Sequence, residues 1–241
     1  MKRKDNRKID EIRPIKIEKD YLKDAEGSCL IQVGNTVVVC SATVENRVPV
    51  FLRESNSGWI TAEYGMLPRS CKERVSRERN HGRTHEIQRL IGRALRSVTN
   101  LPRLKDFTIT VDCDVLQADG GTRTAAITGS WVALFDAVQH MISKGWITNS
   151  PLKEALAAIS VGIVDDVPIL DLAYDEDSSA KVDMNVVMTE SMKFVEIQGT
   201  GEKNSFTKTE FDQMLQLAEQ GIKQLIEIQR KVLFVDPYFK K

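Results

Sequence analysis

This sequence has no paired cysteines, no long apolar run and no phosphate-binding glycine loop of the Walker type. Each gap closes off a class of protein. The four cysteines, Cys29, Cys40, Cys71 and Cys113, lie far apart with no CxxC spacing, which argues against zinc or a disulfide framework and for a reducing compartment. No segment approaches the ~20 apolar residues of a membrane span. The basic opening MKRKDNRKIDEIRP lacks the apolar core of a secretion signal. A cytoplasmic protein with no membrane contact is expected. Neither GxxxxGKS nor GxxxxGKT occurs, and neither does HExxH. No Ser/His/Asp or Cys/His pattern suggests a protein nucleophile. His81 and His85 are four apart, but Gly82 between them makes a continuous ligating helix doubtful.

What is present is charge, unevenly spread. Lys and Arg total 34 and Asp and Glu also total 34, yet residues 1–100 hold 20 basic against 13 acidic side chains and the remainder 14 against 21. The two halves either attract each other or a neighbouring subunit, or the basic part meets a polyanion while some of the acids hold a cation. Charge by itself leaves both open.

Along the chain, residues 28–44 read as two β-rich runs around Gly34-Asn35, and 58–65 as another strand. Residues 66–81 are charged and poor in apolar side chains, so an exposed loop is expected. Ile87, Leu90, Ile91, Ala94, Leu95 and Val98 recur at helical spacing and predict a helix over 84–98. Residues 107–117 alternate as a half-buried strand, followed by a helix to about residue 144. Two strands turn at Asp165-Asp166, two more near Glu190-Ser191, and a last helix opens at Thr207 with Glu210 three residues on, a capping box. No low-complexity linker or short repeat interrupts the order. A single α+β domain over 1–241 follows, with 1–8 and 232–241 peripheral.

Two helix starts carry chemistry. The stretch QADGGTRTAAITGSW passes from strand through Gly120 and Gly121 to Thr122, Arg123 and Thr124. Unpaired N–H groups at a helix start, bare backbone and one guanidinium compose an anion cradle. The same residues also make an ordinary glycine turn with a threonine cap. The earlier helix opens with Gly82, Arg83 and Thr84, repeating the trio. In the acidic half, Asp177 in a turn and Asp183 in the following strand are paired candidates for Mg²⁺, which binds through one or two carboxylates plus substrate oxygens; a solvated acidic turn reads the same way. The loop holds Arg69, Lys72, Arg74, Arg77 and Arg79 without interleaved aromatics, which suits phosphate-backbone contact or plain solvation.

Several of these blocks carry a family likeness. GWITAEYGMLPRS, GRTHEIQRLIGRALR, VDCDVLQADGGTRTAAITG, DMNVVMTES and EIQGT together resemble the ribonuclease PH family, collinearly from about residue 7 to 230. The resemblance implies the fold of the second domain of ribosomal protein S5, with mixed sheets and three main helices. It implies a phosphate-dependent 3′→5′ exoribonuclease that trims tRNA precursors, releases nucleoside diphosphates and assembles as a hexameric trimer of dimers. Carried over, Arg83, Gly121, Thr122 and Arg123 bind phosphate, the co-substrate. Asp177 and Asp183 are the catalytic, metal-associated aspartates, and either could instead protonate the leaving 3′ oxygen. Arg69, Arg74 and Arg77 contact RNA. The chain departs from the family at RKDNR, where Asn6 replaces a glycine, and in a shorter loop before Gly82. A hydrolytic two-metal exonuclease and a non-catalytic RNA-binding ring subunit are the rival readings.

Overall fold

Strand β1 (Ile15–Lys19), an alternating five-residue run that the sequence reading leaves unassigned, pairs antiparallel with β2 (Gly27–Val33). The turn at Gly34 and Asn35 then folds β2 onto β3 (Thr36–Glu45). The computed structural model describes residues 3–76 and 82–234. Strand β4 (Trp59–Met66) runs parallel to β5 (Thr108–Gln117), giving the order β1-β2-β3-β5-β4. A parallel neighbour needs a crossover, and α1 (Gly82–Ser97) supplies it, burying Ile87, Leu90, Ile91, Ala94 and Leu95.

Helix α2 (Thr122–Ser143) follows β5 directly and is buried along most of its length, as a helix sandwiched between layers must be. Its close approach to the first sheet requires Gly129: a Cβ there would lie 2.8 Å from both Cys40 Sγ and Ile31 Cγ2. Cys29, Cys40 and Cys113 stand in register across β2, β3 and β5, all buried; their wide sequence spacing hid this.

The second sheet packs on the other side of α2, through β6 (Leu156–Val164). Its order is β7-β6-β8-β9, with β7 (Val167–Leu170) turning back at Asp165-Asp166. A one-turn helix, α3 (Tyr174–Asp177), precedes β8 (Val182–Thr189) and β9 (Phe194–Gly201). Helix α4 (Lys208–Leu233) covers β6 and β7 with Met214, Ala218, Ile222 and Leu225. Its start is the expected box: Thr207 Oγ1 accepts from Glu210 N at 3.2 Å, and Glu210 Oε2 accepts from Thr207 N at 2.6 Å. One continuous apolar core runs through both sheets and the three long helices.

The N-terminal segment is placed otherwise than expected. Arg3 and Arg7, assigned to a peripheral stretch, are 2% and 9% exposed. Arg3 donates from Nε and Nη2 to the two oxygens of Glu176, at 2.7 and 2.8 Å, and to the carbonyls of Leu170 and Asp171. Guanidiniums can be buried when paired and hydrogen-bonded in this way. Asn6 adopts φ 63°, the left-handed conformation that a glycine would take there.

Candidate active site

The glycine turn entering α2 is held from three directions. Gly120 and Gly121 have φ of 75° and 65°. At Gly120 a Cβ would come within 2.6 Å of the Leu172 carbonyl oxygen, so the turn is pressed against the segment leading to α3. Thr36 Oγ1 donates to the Gly120 carbonyl at 2.7 Å and accepts from Asp119 N at 2.9 Å. Arg13 donates to the Asp119 carbonyl at 2.6 Å and clasps Asp171 through Nε and Nη2 at 3.0 and 2.7 Å. Thr124 Oγ1 turns back to the Gly121 carbonyl at 2.9 Å. No side chain caps the first turn of α2, leaving its leading N–H groups for an anion.

The arginines singled out at the two helix starts exert their charge on the same groups, Tyr64 and Asp177. Thr122 Oγ1 accepts from the Tyr64 hydroxyl at 2.9 Å. Burial pushes the Tyr64 phenol up, opposed by that hydrogen bond and by the charges of Arg83 and Arg123. Asp177, half-buried at the end of α3, is raised by burial and pulled down by Arg123 and Arg83. Asp183, on β8, is pushed up to about 6, first by burial and then by the charge of Asp177, against the pull of Arg123. Two guanidiniums and two carboxylates from α1, α2, α3 and β8 therefore act on one another, although the sequence separates them by as much as a hundred residues.

The chain matches the 3′ exoribonuclease family models for domain 1 over residues 11–139 and domain 2 over residues 154–221. It belongs to the 3′ exoribonuclease family. Among curated family members, it is 59% identical over 237 residues to ribonuclease PH of Moorella thermoacetica, covering 97% of this chain and 95% of the relative. The fold is that of ribosomal protein S5 domain 2, as the resemblance implies. Rice (Oryza sativa) Rrp46 superposes with a TM-score of 0.79 at 19% identity, over 96% of this chain and all of that one. The Archaeoglobus fulgidus exosome with RNA bound to its active site superposes with a TM-score of 0.80 at 20% identity, over 94% and 92% of the two chains. At such identities these structures speak for the fold alone.

Of the remaining candidates, Arg69 and Arg74 lie among the described residues. Both are exposed on the segment after β4, whose backbone is tied down by Ala118 N donating to Ser70 O and Val75 N to Pro68 O. Arg77, Arg79 and His81 lie outside the described residues. Four residues that sequence reasoning passed over belong to the site. Tyr64 orients Thr122. Asn185, beside Asp183 on the same face of β8, directs its amide toward that carboxylate at 3.5 Å. Gln198 accepts from Arg123 Nη1 at 2.8 Å. Glu202 adds negative charge felt by both aspartates. The signal for Asn185 was available, because residues two apart on a strand share a face; the others needed the tertiary pairing.

Proposed function

We propose that this chain degrades RNA from the 3′ end by phosphorolysis, with inorganic phosphate held at the start of α2 as the attacking reagent. The single observation that carries the reading is the 59% identity, over nearly the whole chain, to a ribonuclease PH. The mutual electrostatic influence of Arg83, Arg123 and Asp177, and of Asp177, Arg123 and Asp183, beside an uncapped helix start agrees with it. A phosphate oxygen attacks the phosphorus of the last phosphodiester. The bond to the 3′ oxygen of the preceding nucleotide breaks, and the terminal nucleotide leaves as a diphosphate. No protein nucleophile is required.

The obstacle is electrostatic. Two unit charges 4 Å apart interact by about 4 kcal/mol at an effective dielectric of 20, so a dianion meeting a monoanionic diester faces roughly twice that. One helix end contributes only about 0.3–2 kcal/mol. Arg83, Arg123 and the Gly121–Thr122 backbone together orient the phosphate and spread its charge. Asp177 and Asp183 suit Mg²⁺: a half-buried like-charged pair, already strained enough to lift Asp183, gains from a cation that keeps most of its waters. Asp177 and Asp183 would hold the ion as a pair, since among the described residues no group of three His, Cys, Asp or Glu is arranged to hold a metal. Bound there, the ion supplies charge neutralisation at the scissile diester. Arg69, Arg74 and Arg77 track the RNA backbone, tRNA precursors with a free 3′ strand are the natural substrates, and the active assembly is a hexameric trimer of dimers in the cytoplasm.

Incubation of the protein with end-labelled RNA and Mg²⁺, with and without phosphate, tests the reading. Nucleoside diphosphates formed only with phosphate are expected. Monophosphates formed without it indicate hydrolysis, and no product indicates a scaffold subunit.

Arg123→Ala sharpens the assignment. Loss of a charge-assisted contact to phosphate costs about 1.5–3 kcal/mol, so the half-saturating phosphate concentration should rise about 10- to 150-fold while RNA affinity measured without phosphate stays within a factor of two. An equal loss in both measurements removes Arg123 from the phosphate site.

A further inference from the structure

Gln198 joins the two helix starts. Its Oε1 accepts from Arg123 Nη1 at 2.8 Å, and its Nε2 donates to Glu86 Oε1 at 2.6 Å. Arg123 lies in the first turn of α2, and Glu86 follows Arg83 by three residues in α1. The bridge is set by the second sheet: Gln198 pairs with Asn185 and Thr200 with Asp183 across β8 and β9, so this amide stands on the same face as the Asp183 carboxylate.

The choice of side chain matters chemically. A guanidinium has five donors, and Gln198 occupies one of them through a neutral acceptor. Arg123 is thereby oriented with its charge intact and most of its fork left for an anion. The other end of the amide engages Glu86, a carboxylate near enough to share a partner with Arg123. Without that bridge, the Glu86 carboxylate would be free to turn toward Arg123 and compete with phosphate for it. A glutamate at 198 would hold Arg123 as firmly but cancel its charge.

We propose that Gln198 is a positioning residue for inorganic phosphate, orienting Arg123 while keeping the Glu86 carboxylate from neutralising it. This rests on the reading that Arg123 receives the attacking phosphate.

The test compares Gln198→Ala, Gln198→Glu and the double variant Gln198→Ala/Glu86→Gln with wild type. Half-saturating phosphate is measured twice, in phosphorolysis and, without RNA, by phosphate-induced thermal shift. Gln198→Ala should raise it about 5- to 10-fold, less than the loss of Arg123 itself, because the guanidinium stays and only its orienting bond goes. Gln198→Glu should raise it further, on the order of 30-fold, as phosphate displaces a fixed counter-charge. Turnover at saturating phosphate should fall much less than half-saturation rises. The double variant should recover part of the loss, which a merely structural glutamine would not allow. A phosphate-dependent wild type with unmoved variants, equal effects of alanine and glutamate, or no recovery in the double variant overturns the proposal. A wild type that degrades RNA equally well without phosphate overturns the functional reading, and this proposal with it.

Discussion

Asp183→Asn should be nearly inactive and yet more stable than the wild type. Asp183 sits on β8, mostly withdrawn from water, with Asp177 as its nearest opposing influence and no arginine hydrogen-bonded to it among the described contacts. Burial and the neighbouring charge raise it to about 6 from an ordinary value of 3.8. A raised carboxylate means that the folded state holds its proton more tightly than the unfolded chain does. Above pH 6 the folded wild type therefore carries an ionised group in an unfavourable place, at a cost on the order of 2 kcal/mol. Below pH 4 the group is protonated in both states and the cost vanishes. Asparagine removes the charge and keeps the size. In buffer with a metal chelator, the variant's thermal midpoint at pH 7.5 should exceed that of the wild type by about 5 °C, and the gap should close on acidification to pH 4. Turnover with Mg²⁺ and phosphate should fall about 10³-fold, because on the proposed reading the pair that would hold the cation has lost a member. Equal midpoints at pH 7.5 would show that Asp183 is not strained, and wild-type turnover would remove it from the active site. Strain of this kind at a functional carboxylate is the usual exchange of stability for activity.

The amphipathic helices, the Asp165-Asp166 hairpin and the Thr207–Glu210 cap were legible because each is written within a dozen residues. Legible too was the repeated Gly–Arg–Thr theme at the starts of α1 and α2, and the acidic pair that follows. What stayed hidden depends on partners far along the chain. Arg3 looks like a solvated charge in a basic leader, yet both carboxylate oxygens of Glu176, 173 residues away, accept from it. Gln198 sits in an ordinary alternating strand, and only the approach of α1 and of the Arg123 side chain to β9 gives its amide two charged neighbours. Strand β1 alternates correctly but is five residues long and lies at a sheet edge, where charged flanks are normal. The one-turn α3 is too short for any period to declare itself.

Asp171→Asn should do the opposite of Asp183→Asn and destabilise the protein by about 3–5 kcal/mol, the range for removing one member of a buried ion pair. Asp171 is 3% exposed with φ 55°, a conformation asparagine tolerates well, so the backbone is spared while the charge is lost and one acceptor becomes an NH2 facing the Arg13 and Arg7 donors. Its carboxylate receives the backbone N of Arg13 at 2.7 Å, both arms of the Arg13 fork, and Arg7 Nη1 at 3.3 Å. Burial by itself would raise this group. The Arg13 hydrogen bonds and the charges of Arg13 and Arg7 outweigh it and hold the carboxyl below its ordinary 3.8. Its contribution is thus complete above pH 4 and is lost only as the pH falls through the lowered value. The variant's deficit should be constant from pH 5 to 8 and shrink only under strong acid, as read by urea unfolding across that series. A deficit under 1 kcal/mol at pH 7 would mean that Arg7 and Arg13 find other partners. Activity should suffer as well, because Arg13 carries the Asp119 carbonyl and so the Gly120–Gly121 turn. With the turn loosened, half-saturating phosphate should rise in the folded fraction of the variant, and Asp171→Glu, which restores the charge in a longer side chain, should recover stability more fully than phosphate affinity. The two aspartates, twelve residues apart, thus divide the work. Asp171 is buried with its charge answered by Arg13 and Arg7 and holds the frame. Asp183 is half-buried beside the charge of Asp177, with the pull of Arg123 and one long amide contact from Asn185 too weak to offset it, which on the proposed reading suits a cation and substrate.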